Sequence, residues 1–141
     1  MAYWMMRGIK RLLELNQKHF AVLFFLWVTL ITVLSLVSFS ELDTEAIRIP
    51  FVDKITHFVF YFGFVFLGSF WLGRKRVHFN LKRVMAVFLS GVAYGGIMEL
   101  LQLTLTQDRA AEWTDMLSNL LGASFAVLVV LRFNPGKEPL K

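Results

Sequence analysis

Three polar side chains interrupt an otherwise apolar segment at intervals of four residues. Asp53, His57 and Tyr61 occur in the stretch DKITHFVFYF, where this spacing places them on one face of an α-helix. A carboxylate and an imidazole that share a face can bind a polar group or act as general acid and base. Most of the remaining residues, Phe58, Val59, Phe60 and Phe62 among them, are apolar and suit lipid. The polar stripe must therefore face something other than hydrocarbon.

A second set of polar residues lies in the second half of the chain. Glu99 and Gln102 are three residues apart, so they share one face of a helix. Asp115 and Asn119 are four apart and share a face of another helix. The connection between these helices contributes two further residues, Arg109 and Glu112. These side chain types bind charged head groups and position protons.

The elements that carry these residues are apolar enough for a membrane. Hydrophobic residues make up 57% of the 141 residues and charged residues 18%, and the mean hydropathy is +0.60. Four stretches approach the length of a membrane span: residues 20–39, 55–73, 84–105 and 116–133. We therefore predict an all-α fold, a four-helix transmembrane bundle with short loops over residues 20–133. A cytoplasmic tail, 134–141, would follow it.

The N-terminal segment, residues 1–19, is basic and contains apolar residues on one side of a helical pattern. It is either a short amphipathic helix at the membrane surface or a disordered basic tail. The apolar run that follows exceeds the usual h-region of a signal peptide, and no small-residue cleavage motif follows it. We predict that this run is a retained first span.

Lysine and arginine residues are distributed unevenly along the chain. Twelve of the 15 lie in the N-terminal segment, the second connection and the C-terminal tail. Arg48, Lys54 and Arg109 lie on the opposite side. Because cytoplasmic loops are enriched in Lys and Arg, we predict a multi-pass protein of the cytoplasmic (inner) membrane with both termini in the cytoplasm. The net charge of +5 then reflects topology and attraction to anionic lipids, not nucleic acid binding.

This topology places both sets of polar residues in the outer half of the bundle. Asp53 and Asp115 begin the second and fourth helices, and Glu99 lies about 9 Å below the end of the third. We predict a polar pocket that opens toward the outer leaflet. Its ligand-binding residues would be Asp53, Lys54, His57, Tyr61, Glu99, Gln102, Arg109, Glu112, Asp115 and Asn119.

Each of these residues also has a structural explanation. Gln102 and Asn119 can form hydrogen bonds that hold helices together. Asp53 suits the first turn of a helix, where the macrodipole favours negative charge. Glu99 is costly in hydrocarbon, so it would pair with His57 or an arginine, or be protonated. The convergence of all these groups at one depth favours a site.

Several other kinds of site are absent or disfavoured. The chain has no cysteine, no glycine-rich phosphate loop, no G-x-S-x-G and no H-E-x-x-H. His57, Glu99 and Asp115 have suitable types for metal ligands, but the layer contains one histidine, so we predict no metal and no cofactor. Gly91 and Gly95 are four apart and suit close helix contact, either within the bundle or in a homo-oligomer.

The motifs resemble those of the VanZ-like family of small membrane proteins. That family has the pattern D-K-x-x-H-F, then E-x-x-Q, then R-x-x-E-x-x-D-x-x-x-N-x-x-G. The matching residues here are Asp53, Lys54, His57, Phe58, Glu99, Gln102, Arg109, Glu112, Asp115, Asn119 and Gly122. The resemblance implies a four-helix integral membrane protein. The namesake of the family is linked with resistance to the glycopeptide teicoplanin, which the resemblance does not imply for every member.

Three functions fit the sequence. The first is binding of a membrane lipid or lipid-linked cell-envelope intermediate, with Arg109 and Lys54 holding its phosphate or carboxylate. The second is an enzyme that acts on a lipid head group, with His57 as acid or base oriented by Glu99 or Asp115. The third is a structural membrane subunit whose polar residues only hold the helices together.

Overall fold

The computed structural model describes residues 17–37, 51–75, 78–105 and 112–132. They form four helices: α1 (Gln17–Leu36), α2 (Val52–Gly68), α3 (Leu81–Leu105) and α4 (Trp113–Arg132). Each helix begins three residues before the apolar stretch that predicts it, because polar residues such as Lys18, Asp53 and Asp115 continue the helix beyond the apolar run. The predicted amphipathic segment lies mostly outside the described residues.

A five-residue π-helix, Ser69–Gly73, continues α2 toward the next helix. It leads into a short antiparallel pair of strands, β1 (Arg74–Lys75) and β2 (His78–Phe79), in which Arg74 is opposite Phe79. This tight connection reverses the chain so that α3 runs antiparallel to α2. The all-α prediction is confirmed, since each of the four helices is long and apolar enough to cross a membrane.

The second helix occupies the centre of the bundle. Of the four candidate spans it has the largest buried share, 44% against 17% for the first. Its residues Phe60, Tyr61, Phe64 and Val65 form a core with Ile31, Val87, Ala123 and Ala126 from the other three helices. The helices can bury these side chains because aromatic rings on one helix fill the space beside small residues on another.

An aromatic cluster closes the end of the bundle that carries most of the described basic residues. Phe20, Phe70 and Phe79 pack with Val84 and Val130 there, and the Phe20 and Phe70 ring centroids are 4.8 Å apart. Rings at this separation contact each other directly. The polar residues of α2 and α4 therefore lie at the opposite end of the molecule.

Glycine permits the closest contacts between helices. A Cβ atom placed on Gly122 of α4 would lie 2.1 Å from the backbone oxygen of Phe58 in α2. Gly91 and Gly95 of α3 pack in the same way against the rings of Phe64 and Tyr61, and a Cβ atom added at either glycine would lie 3.1 Å from the ring. All three glycines thus serve packing against the central helix within one chain.

Candidate functional site

Three helix ends meet at the end of the bundle opposite the aromatic cluster. The first turns of α2 and α4 contribute Asp53 and Asp115, so both carboxylates lie at the positive end of a helix dipole. The antiparallel α3 contributes Glu99 from its C-terminal half. We call this group of side chains the polar cluster; its members are Asp53, Lys54, His57, Glu99, Glu112, Asp115 and Asn119.

Exposure within the polar cluster is graded. The side chains of Asp53, Lys54 and Glu112 are 51%, 27% and 56% exposed. These three residues form the rim. The floor consists of buried residues, His57, Glu99, Asp115 and Asn119, each at most 6% exposed.

The Lys54 ammonium links the rim to the floor. Its Nζ atom lies 2.6 Å from Oε2 of Glu112 and 3.4 Å from Oδ2 of Asp53. It also donates a hydrogen bond to Oδ1 of Asp115, which is buried. Sequence reasoning predicts that Lys54 helps to hold an anionic ligand, whereas the structure engages this ammonium with three carboxylates of the protein itself.

Glu112 precedes α4 and is held by two donors. The Lys54 ammonium and the Thr114 hydroxyl, at 3.0 Å, both hydrogen-bond to Oε2. The hydrogen bond from Lys54 is the larger cause that lowers the pKa of the Glu112 carboxyl below its usual range, and the bond from Thr114 adds to it. Glu112 is therefore ionised at neutral pH and available as a counter-ion for Lys54.

The His57 ring is fixed in the centre of the floor. Nδ1 lies 2.9 Å from Oδ1 of Asn119, and 3.8 Å from Oε1 of Glu99. On the other side of the ring, Nε2 is 3.9 Å from a carboxylate oxygen of Asp53 and 3.9 Å from one of Asp115. Three carboxylates thus surround one buried imidazole.

Glu99 is the most unusual residue of the floor. It is 4% exposed, and neither of its carboxylate oxygens makes a hydrogen bond to another described residue. As its position in the sequence predicts, it faces the helices that carry His57 and Asp115 and not the surrounding lipid. A buried carboxylate with unsatisfied oxygens is costly unless positive charge or a proton compensates it.

Two residues of the predicted site are buried in the bundle but are not members of the polar cluster, and a third is not among the described residues. Gln102 donates from Nε2 to the backbone oxygen of Ser35 on α1, at 3.0 Å, so it joins two helices. Tyr61 is 2% exposed and packs in the core with its ring beside Gly95. Arg109 falls outside the described residues, so its role stays a prediction.

The first helix contributes polar groups that sequence reasoning does not assign to the bundle interior. The Thr32 hydroxyl lies 2.7 Å from the Tyr94 hydroxyl of α3, and the backbone oxygen of Ser35 accepts the hydrogen bond from Gln102. Thr29, Thr32 and Ser35 recur at intervals of three on an otherwise apolar helix. Thr32 and Ser35 contact α3, whereas Thr29 is exposed and bonds to the backbone of its own helix, so the spacing alone does not identify the buried face.

Two cavities are lined by described residues, and one of them borders the polar cluster. A groove of about 410 Å³ lies near the basic end, lined by Leu72, Arg83, Ala86, Val87 and Ser90. A small cavity of about 40 Å³ lies between α3 and α4 beside Asn119. Among the described residues the members of the polar cluster contact one another, and the rim is the exposed part of the cluster.

Comparison with known proteins identifies the family. A family model described as VanZ/LLP1 matches residues 5–134. The chain belongs to this family. Comparison with curated proteins and with solved structures found no match. The predicted family is thereby confirmed, and all seven residues of the polar cluster in this VanZ-like protein belong to the motifs.

The arrangement permits two kinds of chemistry. The rim presents carboxylates to the surface, so it can accept hydrogen bonds from hydroxyl or ammonium groups of a ligand. The floor holds an imidazole between carboxylates, an environment that can bind a positively charged species or position a proton. A purely anionic ligand would need a positive group other than Lys54, since that ammonium is already engaged.

Proposed function

We propose that this VanZ-like membrane protein binds a lipid or a lipid-linked cell-envelope intermediate at the rim of the polar cluster. The observation that supports the proposal is the graded cluster itself, in which buried ionisable groups lie beneath a partly exposed rim at one end of a membrane bundle. A scaffold would gain little from several buried charges, because burying them is costly.

The polar groups and the phosphate of the lipid head group would contact different residues. Hydroxyl or ammonium groups of the ligand would donate to the rim carboxylates of Asp53 and Glu112, which are exposed. The phosphate would be held by Arg109, whose planar guanidinium forms paired hydrogen bonds with phosphate oxygens. The acyl chains would lie on the apolar outer surface, where residues such as Leu100 and Leu128 are more than 60% exposed.

Arg109 provides the direct test of this proposal. Arg109→Ala and Arg109→Lys should remove most of the co-purified anionic lipid, since lysine lacks the planar donor pair. The melting temperature should stay close to that of the wild type, because a loop ion pair contributes only about 0–1 kcal/mol. Native mass spectrometry of the purified protein measures the bound lipid.

Arg132→Ala is the matched control for this test. Arg132 ends α4 at the opposite end of the helix from Asp115, so its removal should leave lipid retention unchanged. If the Arg109 variants keep their lipid but melt many degrees lower, Arg109 is structural and the binding proposal fails. Teicoplanin susceptibility of cells that express the wild type or Arg109→Ala is a second readout, which the family resemblance motivates.

Orientation in the membrane is the second element of the proposal. Because twelve of the 15 basic residues lie on one side, the polar cluster should face away from the cytoplasm. Reporter fusions at residue 78 and at the C-terminus should both report a cytoplasmic location. An external signal from either fusion would place the rim at the inner leaflet and refute the outer-leaflet ligand.

An enzyme is the second candidate, and the orientation of His57 favours it. Nδ1 is held by Asn119, which leaves Nε2 turned toward Asp53 and Asp115. An imidazole held at one nitrogen can act as general base or acid through the other. If the wild type converts the co-purified lipid during incubation and His57→Gln does not, the enzyme is favoured. If the lipid is unchanged in both, simple binding is favoured.

A further inference from the structure

The hydrogen bond between His57 and Asn119 determines which ring nitrogen carries the proton. The partner of Nδ1 is Oδ1 of Asn119, at 2.9 Å. An amide oxygen only accepts, so Nδ1 must donate its N–H. In the neutral ring this leaves Nε2 with a free lone pair. A second hydrogen bond of this type is what orients histidines that bind metals through the other nitrogen.

The free lone pair of Nε2 points toward two carboxylates. Nε2 is 3.9 Å from Oδ1 of Asp53 and 3.9 Å from Oδ2 of Asp115. One ligand atom from each of these three residues lies within 4.8 Å of the other two. Three electron-rich atoms that face one point repel one another unless a positive species lies between them.

The Lys54 ammonium does not occupy that point. It contacts Oδ2 of Asp53 and Oδ1 of Asp115. These are the carboxylate oxygens that Nε2 of His57 does not face. Lys54 therefore holds both carboxylates from outside and leaves their second oxygens directed toward His57. Carboxylates that bind metals are commonly hydrogen-bonded by neighbouring groups in this way.

Glu99 adds a further buried carboxylate to the polar cluster, on the Nδ1 side of the His57 ring. It comes from a different helix and is 4% exposed, and neither of its oxygens has a hydrogen-bond partner among the described residues. Its Oε1 lies 3.8 Å from His57. The polar cluster thus contains four carboxylates and one ammonium. A bound cation would compensate the excess negative charge in a site that is mostly shielded from water.

In contrast to the sequence analysis, which predicts no metal, we propose that Asp53, His57 and Asp115 bind a divalent first-row transition-metal ion, of the kind represented by Zn²⁺ or Mn²⁺. One imidazole nitrogen and two carboxylate oxygens suit such ions. Ligand atoms about 2.1 Å from a tetrahedral ion are roughly 3.4 Å apart. The two 3.9 Å separations from Nε2 need to shorten by about half an ångström, and the aspartate oxygens, which lie within 4.8 Å of each other, must also move together. Asn119 and Lys54 act as positioning residues, and the remaining coordination positions face the rim.

Metal uptake by the full chain tests this inference. The protein purified in detergent is stripped with a chelator, titrated with Zn²⁺ or Mn²⁺ and desalted, and the bound metal is counted by mass spectrometry. The wild type should bind about one ion per chain. His57→Gln and Asp115→Asn should each weaken binding at least tenfold, and Asn119→Ala should weaken it about 10–100-fold, as expected for a residue that orients a ligand.

His19→Gln is the matched control, because His19 lies at the start of α1 at the other end of the bundle. It should bind like the wild type. Circular dichroism confirms that each variant is folded. Failure of the stripped wild type to take up either ion at micromolar concentration refutes the site without any variant. Equal binding by His57→Gln and wild type also refutes it, since the ion would then be held elsewhere.

The ion site stands apart from the lipid proposal, and the same preparations separate the two. Lipid retained without metal uptake refutes only the ion. If the protein takes up metal and Arg109→Ala keeps its lipid, only the role of Arg109 in holding the anionic lipid is refuted. Co²⁺ adds a spectroscopic check, because an ion coordinated by His57 should lose its visible absorption band in His57→Gln, and a band that persists counts against the assignment.

Discussion

Gly122→Ala is expected to lower the free energy of unfolding by about 3 kcal/mol, the upper end of the range for overpacked cores. The added Cβ would lie 2.1 Å from the backbone oxygen of Phe58 and 2.9 Å from its carbonyl carbon. Both atoms belong to a helix backbone, which cannot rotate away as a side chain can. The helices α2 and α4 must therefore separate, at the interface with the most extensive contact in the described part of the bundle.

Gly96→Ala is the matched control for this prediction. A Cβ at Gly96 meets no atom of the described residues within 4 Å, and alanine is favoured over glycine inside a helix by roughly 0.5–1 kcal/mol. Thermal unfolding in detergent, followed by circular dichroism, should show a large loss for Gly122→Ala and none for Gly96→Ala. Equal melting temperatures for the two variants would contradict the close packing of α2 against α4.

The separation of α2 and α4 in Gly122→Ala should also change the polar cluster. Gly122 lies three residues after Asn119 on α4, and Asn119 holds the His57 ring of α2. Moving one helix away from the other lengthens that hydrogen bond. We therefore expect Gly122→Ala to reduce binding of any ligand at the cluster even under conditions in which the protein remains folded.

Lys54→Met is expected to destabilise the protein by about 2 kcal/mol. Breaking a fully buried ion pair costs about 3–5 kcal/mol, because the remaining charge is left uncompensated. The expected loss is smaller here because 27% of the Lys54 side chain is exposed. Without the ammonium, the carboxylates of Asp53, Glu112 and Asp115 face one another. Thermal unfolding in the presence of a chelator, which removes any bound cation, measures the change.

Two further variants test whether the loss of the ion pair with Asp115 causes this change. Glu112→Gln removes an exposed partner of the same ammonium, and it should cost much less than Lys54→Met. The double variant Lys54→Met with Asp115→Leu should recover much of the loss, since replacing both partners of a buried pair by apolar residues is often neutral. If Lys54→Met is as stable as the wild type, the ammonium is not the counter-ion of the buried carboxylates.

The sequence predicts the architecture of this protein well. Apolar runs of about 20 residues leave few alternatives to helices, because backbone groups in hydrocarbon must be satisfied within one segment. The ends of the helices follow less closely from hydropathy. All four begin three residues earlier than the apolar runs, since polar residues at the water interface are as compatible with a helix as apolar ones.

The sequence predicts which residues belong to the polar cluster better than it predicts which of them contact one another. Spacing places Asp53, His57, Glu99, Asp115 and Asn119 on particular helix faces at similar depth, and the structure brings these five together. Whether they bind a ligand stays a prediction. Gln102 meets the same spacing rule as Glu99 but bonds to α1 instead, because residues three apart on a helix are still separated by about 60° around its axis.

What the sequence alone determined is the class of fold, the family and the positions of the polar residues along their helices. Those properties depend on composition and on distances along a helix, which are local. The tertiary structure alone decided that Lys54 is engaged by Asp115 and Glu112, and that His57 turns Nε2 toward Asp53. The pairing of such groups depends on how each helix is rotated about its axis, and that rotation is set by the close contacts of glycine and aromatic residues between helices distant in sequence.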